Sequence, residues 1–514
     1  MSPDRTGPAG WRPLALAGVA LGLAALAAQV AGHWPYLSDD ALISLRYAER
    51  FAAGEGLTWT AGAPVEGYSN LLWTVLLAVP AAVGVDPLLG LRVLNLLAAA
   101  GVVVGVAWPW RDRPVGATVA ALAVGTDGTL GVWALGGLEQ PLLAALVGFG
   151  AGSLGAAVGR RDATVRAVLP AAVALALACW TRPDTPLLVA MLTAGWWLAQ
   201  GQDRVAFRSA TVLAGIPAAA TLLQLGVRLL YYGDFVPNTA HVKLQAGEAH
   251  VDMGALYVWD GLESHHWLLL LAATAAVATL RGEVPRARLR LLLPVLLAWP
   301  AYLVRIGGDI FPAQRHLVVW VALLAGLAAA GATALSERRP RLALPLTAVF
   351  AVFLGLQARG QLSRTSWIKV GNEGWVLDGL EVGAMLRERF GATGTTLAIS
   401  PAGAVPYAWK GPTLDMLGLN DAHIAKQVPD DADRAWIGHA HGDGAYVLER
   451  RPGILLFCGP RGGSAACFRS EEELLALPRF QQDYEIVSLE TPGGVPVQLW
   501  VDTTNPAVVA AARR

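Results

Sequence analysis

Leu-, Ala- and Val-rich runs follow one another from residue 14 to 357, with short polar stretches between them. Beyond 357 the pattern turns mixed and polar. A membrane-crossing helix needs about 20 consecutive apolar residues. The runs at 14–31, 88–107, 115–133, 140–158, 167–180, 185–199, 210–230, 266–280, 291–304, 317–335 and 341–357 reach or approach that length. They predict about 11 spans. A further apolar piece, 70–86, stays open between a half-helix, a re-entrant element and a full crossing. In the polar end, LDGLEVGAMLRERF has helical periodicity. TTLAISPAGAVPYA and ILLFCG begin as short strands, and YEIVSLETPGGVPVQLWV reads as a closing hairpin. The expected architecture is a polytopic α-helical membrane protein, residues 1–357, with a mixed α/β domain at 358–514.

Composition agrees with a bilayer setting. The 514 residues are 54% hydrophobic and only 15% charged, against about 25% charged in soluble domains. Mean hydropathy is +0.46. Basic and acidic residues balance at 39 each. No basic tail or stripe points to nucleic acid. The first apolar run, preceded by Arg5 and Arg12, reads as an uncleaved spanning helix rather than a signal peptide.

The arginines cluster in short loops: Arg111 and Arg113, Arg160 to Arg166, Arg204 and Arg208, four in RGEVPRARLR, and SERRPR. Positive loops stay in the cytoplasm. That threading puts outside the first loop (32–70), GLEQ, TRPD, the 231–265 loop, GGDIFPAQRH and the carboxyl-terminal domain. Few charges lie inside the spans, which argues against an ion-coupled transporter. Of three cysteines, Cys179 lies in an apolar run. Cys458 and Cys467 are nine apart, and a disulfide between them is open to an extracytoplasmic domain. No CxxC pair or Cys/His cluster suggests zinc.

Chemistry-bearing residues collect in these outer loops. Asp39 and Asp40 open the amphipathic stretch DDALISLRYAERF. They read either as helix-start residues or as a carboxylate held above the bilayer to deprotonate an acceptor hydroxyl. Arg46, seven residues after Asp39, returns to its face and suits a carboxylate, a phosphate or the interface. Glu66, Tyr68 and Asn70 stand in the turn PVEGYSN and could support a sugar. Glu139 in GLEQP and Arg182 and Asp184 in TRPD serve as bridges or local substrate support. YGDFVPNTAHVKL carries Asn238 and Lys243, and GGDIFPAQRH carries Asp309, Arg315 and His316. Lys243, Arg315 and His316, with Arg46, are the cations expected to meet a donor phosphate. Asp415, Asn420, Asp421 and His423 are either acceptor contacts or turn-fixing residues.

A lipid phosphate explains the combination. Its chain stays in the membrane, its head needs cations at the lip, and an acceptor from water needs a base. One displacement at the anomeric carbon would invert its configuration. No strand–GxGxxG–helix unit for a soluble nucleotide sugar is present. The rival reading is a lipid-linked glycan transporter or an envelope-assembly binding protein.

The stretch SDDALISLRYAERFAAGEGLTWTAGAPVEGYSNLLWT resembles the first outer loop of bacterial GT-C superfamily membrane glycosyltransferases. Among them it is most similar to the branch that includes the mycobacterial terminal arabinofuranosyltransferases. GLEQP, TRPD, FVPNTAHVK, GGDIFPAQRH and DMLGLNDAHIA extend the resemblance over nearly the whole chain. It implies a plasma-membrane enzyme of GT-C fold that transfers a sugar, arabinofuranose in that branch, from a polyprenyl-phosphate donor to an envelope glycan or glycolipid. It also implies an acidic residue of the first outer loop at the catalytic centre, here Asp40 as base with Asp39 assisting. A divalent cation, used by other branches, is left open. No other cofactor is expected.

Overall fold

The computed structural model describes residues 12–62, 64–201, 203–243, 248–280, 282–427 and 438–514. Arg5 and Arg281, counted above among the inner charges, lie outside them. Each of the eleven apolar runs contains a helix. Among the described residues, seven helices are long and apolar enough to cross a membrane: Pro13–His33, Pro87–Trp110, Gln140–Val158, Arg204–Tyr232, Arg286–Arg305, Arg315–Arg338 and Pro340–Leu362.

The other four of the eleven runs, 115–133, 167–180, 185–199 and 266–280, hold shorter helices. The run 115–133, expected as one helix, is two: Pro114–Gly125 and Gly128–Trp133. Asp127 interrupts it. Its carboxylate accepts hydrogen bonds from the Thr129 and Leu130 amides and so caps the second helix. It also lies 3.1 Å from His265 Nε2, with both side chains fully buried. A capping carboxylate with a buried partner outweighs continuation of the helix. In the 70–86 piece the helix Leu71–Ala82 has 12 residues. At 1.5 Å per residue it is about 18 Å long, well short of a hydrocarbon core of about 30 Å. This element is a half-length helix.

The chain forms two compact units. The first contains residues up to Tyr36, Arg92–Gln224 and Asp252–Gly371. Its centre is the helix Val318–Arg338, whose Ala- and Gly-rich surface is almost wholly buried. Small residues allow neighbouring backbones to approach. A Cβ at Gly22 would strike the Ala121 backbone, and one at Gly331 would strike Ala275. Such small-residue seams are how helices associate without a hydrophobic driving force.

The second unit joins Leu37–Leu91 and Leu225–Val251 to Asn372–Arg514. Its five-stranded sheet contains β1 (Leu397–Ile399), β2 (Thr413–Asp415), β3 (Ile454–Leu456), β4 (Tyr484–Glu490) and β5 (Pro496–Asp502), in the order β2-β1-β3-β5-β4. β2, β1 and β3 are parallel, and β4–β5 is the closing antiparallel hairpin expected from YEIVSLETPGGVPVQLWV. Strand periodicity divides the core between two faces. Leu397, Ile399, Ile454, Leu456, Leu499 and Val501 meet Val382, Leu386 and Phe390 of the helix Trp375–Phe390. Ala398, Leu455 and Trp500 point the other way, among Phe457, Leu474 and Phe480.

Cys458 and Cys467 form a disulfide just after β3. The buried Glu471 secures the bridged loop by accepting from the amides of Cys458, Cys467 and Phe468 and from the Ser400 hydroxyl. The bridge predicts that a polar maleimide modifies Cys458 and Cys467 only after reduction. Mass mapping of labelled peptides with and without reductant checks this, and equal labelling in both would refute it.

Candidate active site

The helix Asp39–Ala52 opens the second unit and sets the geometry of the carboxylate pair. Its burial is dense for so polar a sequence: Asp39, Ser44, Arg46 and Tyr47 are all buried. The pair divides its work. Asp39 turns inward, and its two carboxylate oxygens accept from the Gly403 amide at 2.9 Å and the Ala404 amide at 2.7 Å. These amides begin the helix Ala404–Trp409, just past β1. Burial pushes the Asp39 carboxyl up to about 7; the two amides oppose that rise, and the neighbouring Asp40 charge adds to it. Asp40 turns outward. It remains 25% exposed and lies 3.7 Å from Lys243 Nζ, itself 33% exposed.

Gly403 is required by this arrangement. A Cβ there would collide with the Asp39 carbonyl and carboxyl group. Gly403→Ala should therefore shift the start of the helix and lower any transfer activity by roughly 10²-fold, the loss that a displacement of about 1 Å away from the chemistry can cause. Steady-state kinetics beside a melting curve test this. Unchanged turnover in the folded variant would show that Asp39 need not be seated here.

Arg46 departs from its expected phosphate role. Its Nε donates to the Trp59 carbonyl at 2.6 Å, its Nη2 to the Gly411 carbonyl at 2.8 Å, and its Nη1 to the Pro406 carbonyl. The guanidinium also lies 4.7 Å over the Trp59 ring. Burial depresses its pKa to about 9. With its donors engaged by main chain, Arg46 is a structural tie and not a phosphate ligand.

The remaining first-loop residues form a second layer. Glu66 makes a two-toothed pair with Arg228, at 2.5 and 3.1 Å. Burial raises the Glu66 pKa against the pull of that arginine. Tyr68 and Tyr232 hydroxyls lie 3.2 Å apart. Asn70 Oδ1 accepts from Ser44 and Thr74. Asn238 Nδ2 donates to the carbonyls of Gly418 and Leu419. The side chains of Ile43, Tyr47, Trp59, Tyr68, Val242 and Leu419 form one apolar cluster.

The DMLGLNDAHIA residues mainly shape that region. Asp415 accepts from the amides of Leu417, Gly418 and Asn420 and from the Asn420 side chain, with its pKa raised to about 6 by burial. Asp421 caps the helix Ala422–Lys426. His423 is accessible, stacks on Tyr446 with centroids 4.0 Å apart and bonds Asp443 at 2.8 Å. Of these four, His423 presents the most exposed polar group.

The other expected residues belong to the first unit and form their own cluster. Arg182 bridges Glu139 at 2.8 Å and Asp184 at 2.9 Å. Arg315 pairs with Asp309, and His316 Nε2 lies 3.7 Å from the same carboxylate. Ala313 and Gln314 directly before them have φ of 53° and 40°, a left-handed backbone rarely adopted by side-chain-bearing residues. That bend turns Arg315 and His316 back towards Asp309.

Three participants escaped the sequence reading. Arg228 lies inside an apolar run, where a lone arginine is itself a signal. Gly403 and Tyr232 carry no local signature. A metal is poorly served by the Asp39–Asp40 pair, because both Asp39 oxygens already accept amide hydrogens. Cys458, Cys467 and Glu471 converge elsewhere, but both sulfurs belong to the disulfide.

Residues 367–507 match a domain of unknown function (DUF8728). A terminal β-(1→2)-arabinofuranosyltransferase of Corynebacterium glutamicum is 28% identical over 355 residues, covering 59% of this chain. The chain spans about half the length of that relative. ArnT from Cupriavidus metallidurans in the apo state superposes with a TM-score of 0.59 at 13% identity, over 97% of this chain and 98% of that one. Its structure bound to undecaprenyl phosphate gives 0.58, with the same identity and coverage. The seven helices long and apolar enough to cross a membrane, with the carboxyl-terminal sheet domain, make this a multi-pass membrane protein. The chain shares the fold of these ArnT structures.

Proposed function

We propose that the protein is a glycosyltransferase that moves a sugar from a polyprenyl-phosphate donor to a cell-envelope acceptor on the extracytoplasmic side, with inversion. The observation that carries this reading is the division of the acidic pair: Asp39 seated on two amides, Asp40 outward and beside Lys243. The fold supports it, as does the undecaprenyl phosphate held by ArnT. The Corynebacterium relative favours arabinofuranose as the sugar.

In the proposed step the acceptor hydroxyl oxygen attacks the anomeric carbon. The bond from that carbon to the phosphate oxygen breaks, and polyprenyl phosphate leaves with the bonding pair. Asp40 takes the hydroxyl proton and later releases it to water. Lys243 balances the phosphate charge. Asp39 is a positioning residue, and Glu66–Arg228 and the tyrosine pair hold the first loop. Because the acidic pair does not offer two free carboxylates, no step is assigned to a divalent cation.

Lys243→Ala should raise the donor KM by about tenfold, the loss of one charge-assisted contact, with little change in acceptor dependence. Unaltered donor saturation would remove Lys243 from the phosphate site. The reaction itself is tested by incubating the purified protein with a panel of polyprenyl-phosphate sugars and analysing products. Movement of intact lipid-linked sugar across sealed vesicles, without transfer, would favour the transporter reading instead.

A further inference from the structure

The arginine-rich stretch RGEVPRARLR is used above only to orient the chain. The first unit gives one of its members a separate setting. Near the end of this unit that carries Arg111, Arg113 and Arg338 lies a half-open groove. Its walls are apolar and small: Gly148, Gly152 and Gly155 on one helix, and Ala322, Gly326 and Ala330 on another. Arg288 also lines it, only 8% exposed.

Arg288 is held but not neutralised. Its Nε donates to the Gly155 carbonyl at 3.0 Å, and its guanidinium stacks 4.6 Å from the Trp110 ring. Its two terminal nitrogens make no hydrogen bond to a described residue. The nearby Glu337 is paired with Arg113 at 2.9 Å, and Asp112 acts only through the longer-range field. A largely buried cation without a bonded anion is costly. An apolar slot leading to it matches a ligand with a hydrocarbon chain and an anionic head.

We propose that this groove binds an anionic phospholipid, one acyl chain lying along the glycine–alanine wall and the phosphate on the free edge of Arg288. Arg286 and Arg290 stand on the same helix start and add positive field at that membrane surface. The site lies within the first unit and does not depend on the transfer reaction.

The test uses the full-length purified protein in detergent. Phosphatidylglycerol should raise its melting temperature and remain attached in native mass spectrometry, while phosphatidylcholine and inorganic phosphate should not. Arg288→Met should weaken phosphatidylglycerol retention by at least about tenfold. Gly326→Leu fills the slot while leaving Arg288 in place; a Cβ at Gly326 meets nothing within 4 Å. It too should abolish the response, which a purely helix-tying role for Arg288 would not predict. The site is refuted if wild-type protein does not respond, if phosphatidylcholine or phosphate acts equally, if undecaprenyl phosphate binds better, or if either folded variant keeps the response.

Discussion

Asp40→Asn is expected to lower turnover by roughly 10²–10⁴-fold, the range that a positioned general base contributes. The substitution keeps size and shape but removes the proton acceptor. Asp40 is partly exposed and, among the described residues, makes one ion pair, at 3.7 Å, so stability should barely change; surface pairs contribute about 0–1 kcal/mol. Donor binding should survive, because the carrier's phosphate is assigned to Lys243. Asp39→Asn provides the contrast. An amide in that place puts an NH₂ against the Gly403 or Ala404 amide hydrogens, so it should disturb folding as well as turnover. Turnover and melting temperature measured together separate the two residues. If folded Asp40→Asn protein works at the wild-type rate while Asp39→Asn protein is inactive but equally stable, the roles are reversed.

The second large effect is on stability. Arg46→Met should destabilise the second unit by roughly 3–5 kcal/mol, the usual consequence of removing one partner from a buried charged network. Methionine restores much of the volume but no donors. The carbonyls of Trp59, Pro406 and Gly411 would then lack the hydrogen bonds that tie the first loop to the sheet domain. Unpartnered buried acceptors cost about 1–3 kcal/mol each. Denaturant unfolding or limited proteolysis should show the loss at sub-denaturing conditions. A phosphate ligand would behave differently: Arg46→Met would raise donor KM at constant stability. That result would restore the role suggested by the sequence.

The comparison of Arg46 with Asp40 shows what was legible. Apolar run length revealed the membrane helices because the bilayer imposes its thickness on composition. A short apolar run revealed β3, and two strand-like runs around Thr-Pro-Gly-Gly revealed the closing hairpin. The acidic pair stood out because carboxylates at the start of an amphipathic helix are conspicuous. What could not be read was the direction of each side chain. Arg46 looked like an interfacial cation, yet two of its partners are main-chain carbonyls more than 350 positions away. Main-chain acceptors have no sequence signature. Asp127 was hidden for a related reason: within an apolar run, a carboxylate looks like an exception until His265 is placed beside it. The half-length helix Leu71–Ala82 was undecidable from hydropathy, since composition does not mark where a helix stops.

The seat of Asp39 also has a consequence for biogenesis. Its amide partners are 364 and 365 positions later in the chain. At a synthesis rate of roughly 5–20 residues per second, those partners emerge some 20–70 s after the helix they will hold. During that interval the nascent loop has no anchor, so competence for chemistry arrives only when the late sheet domain has folded.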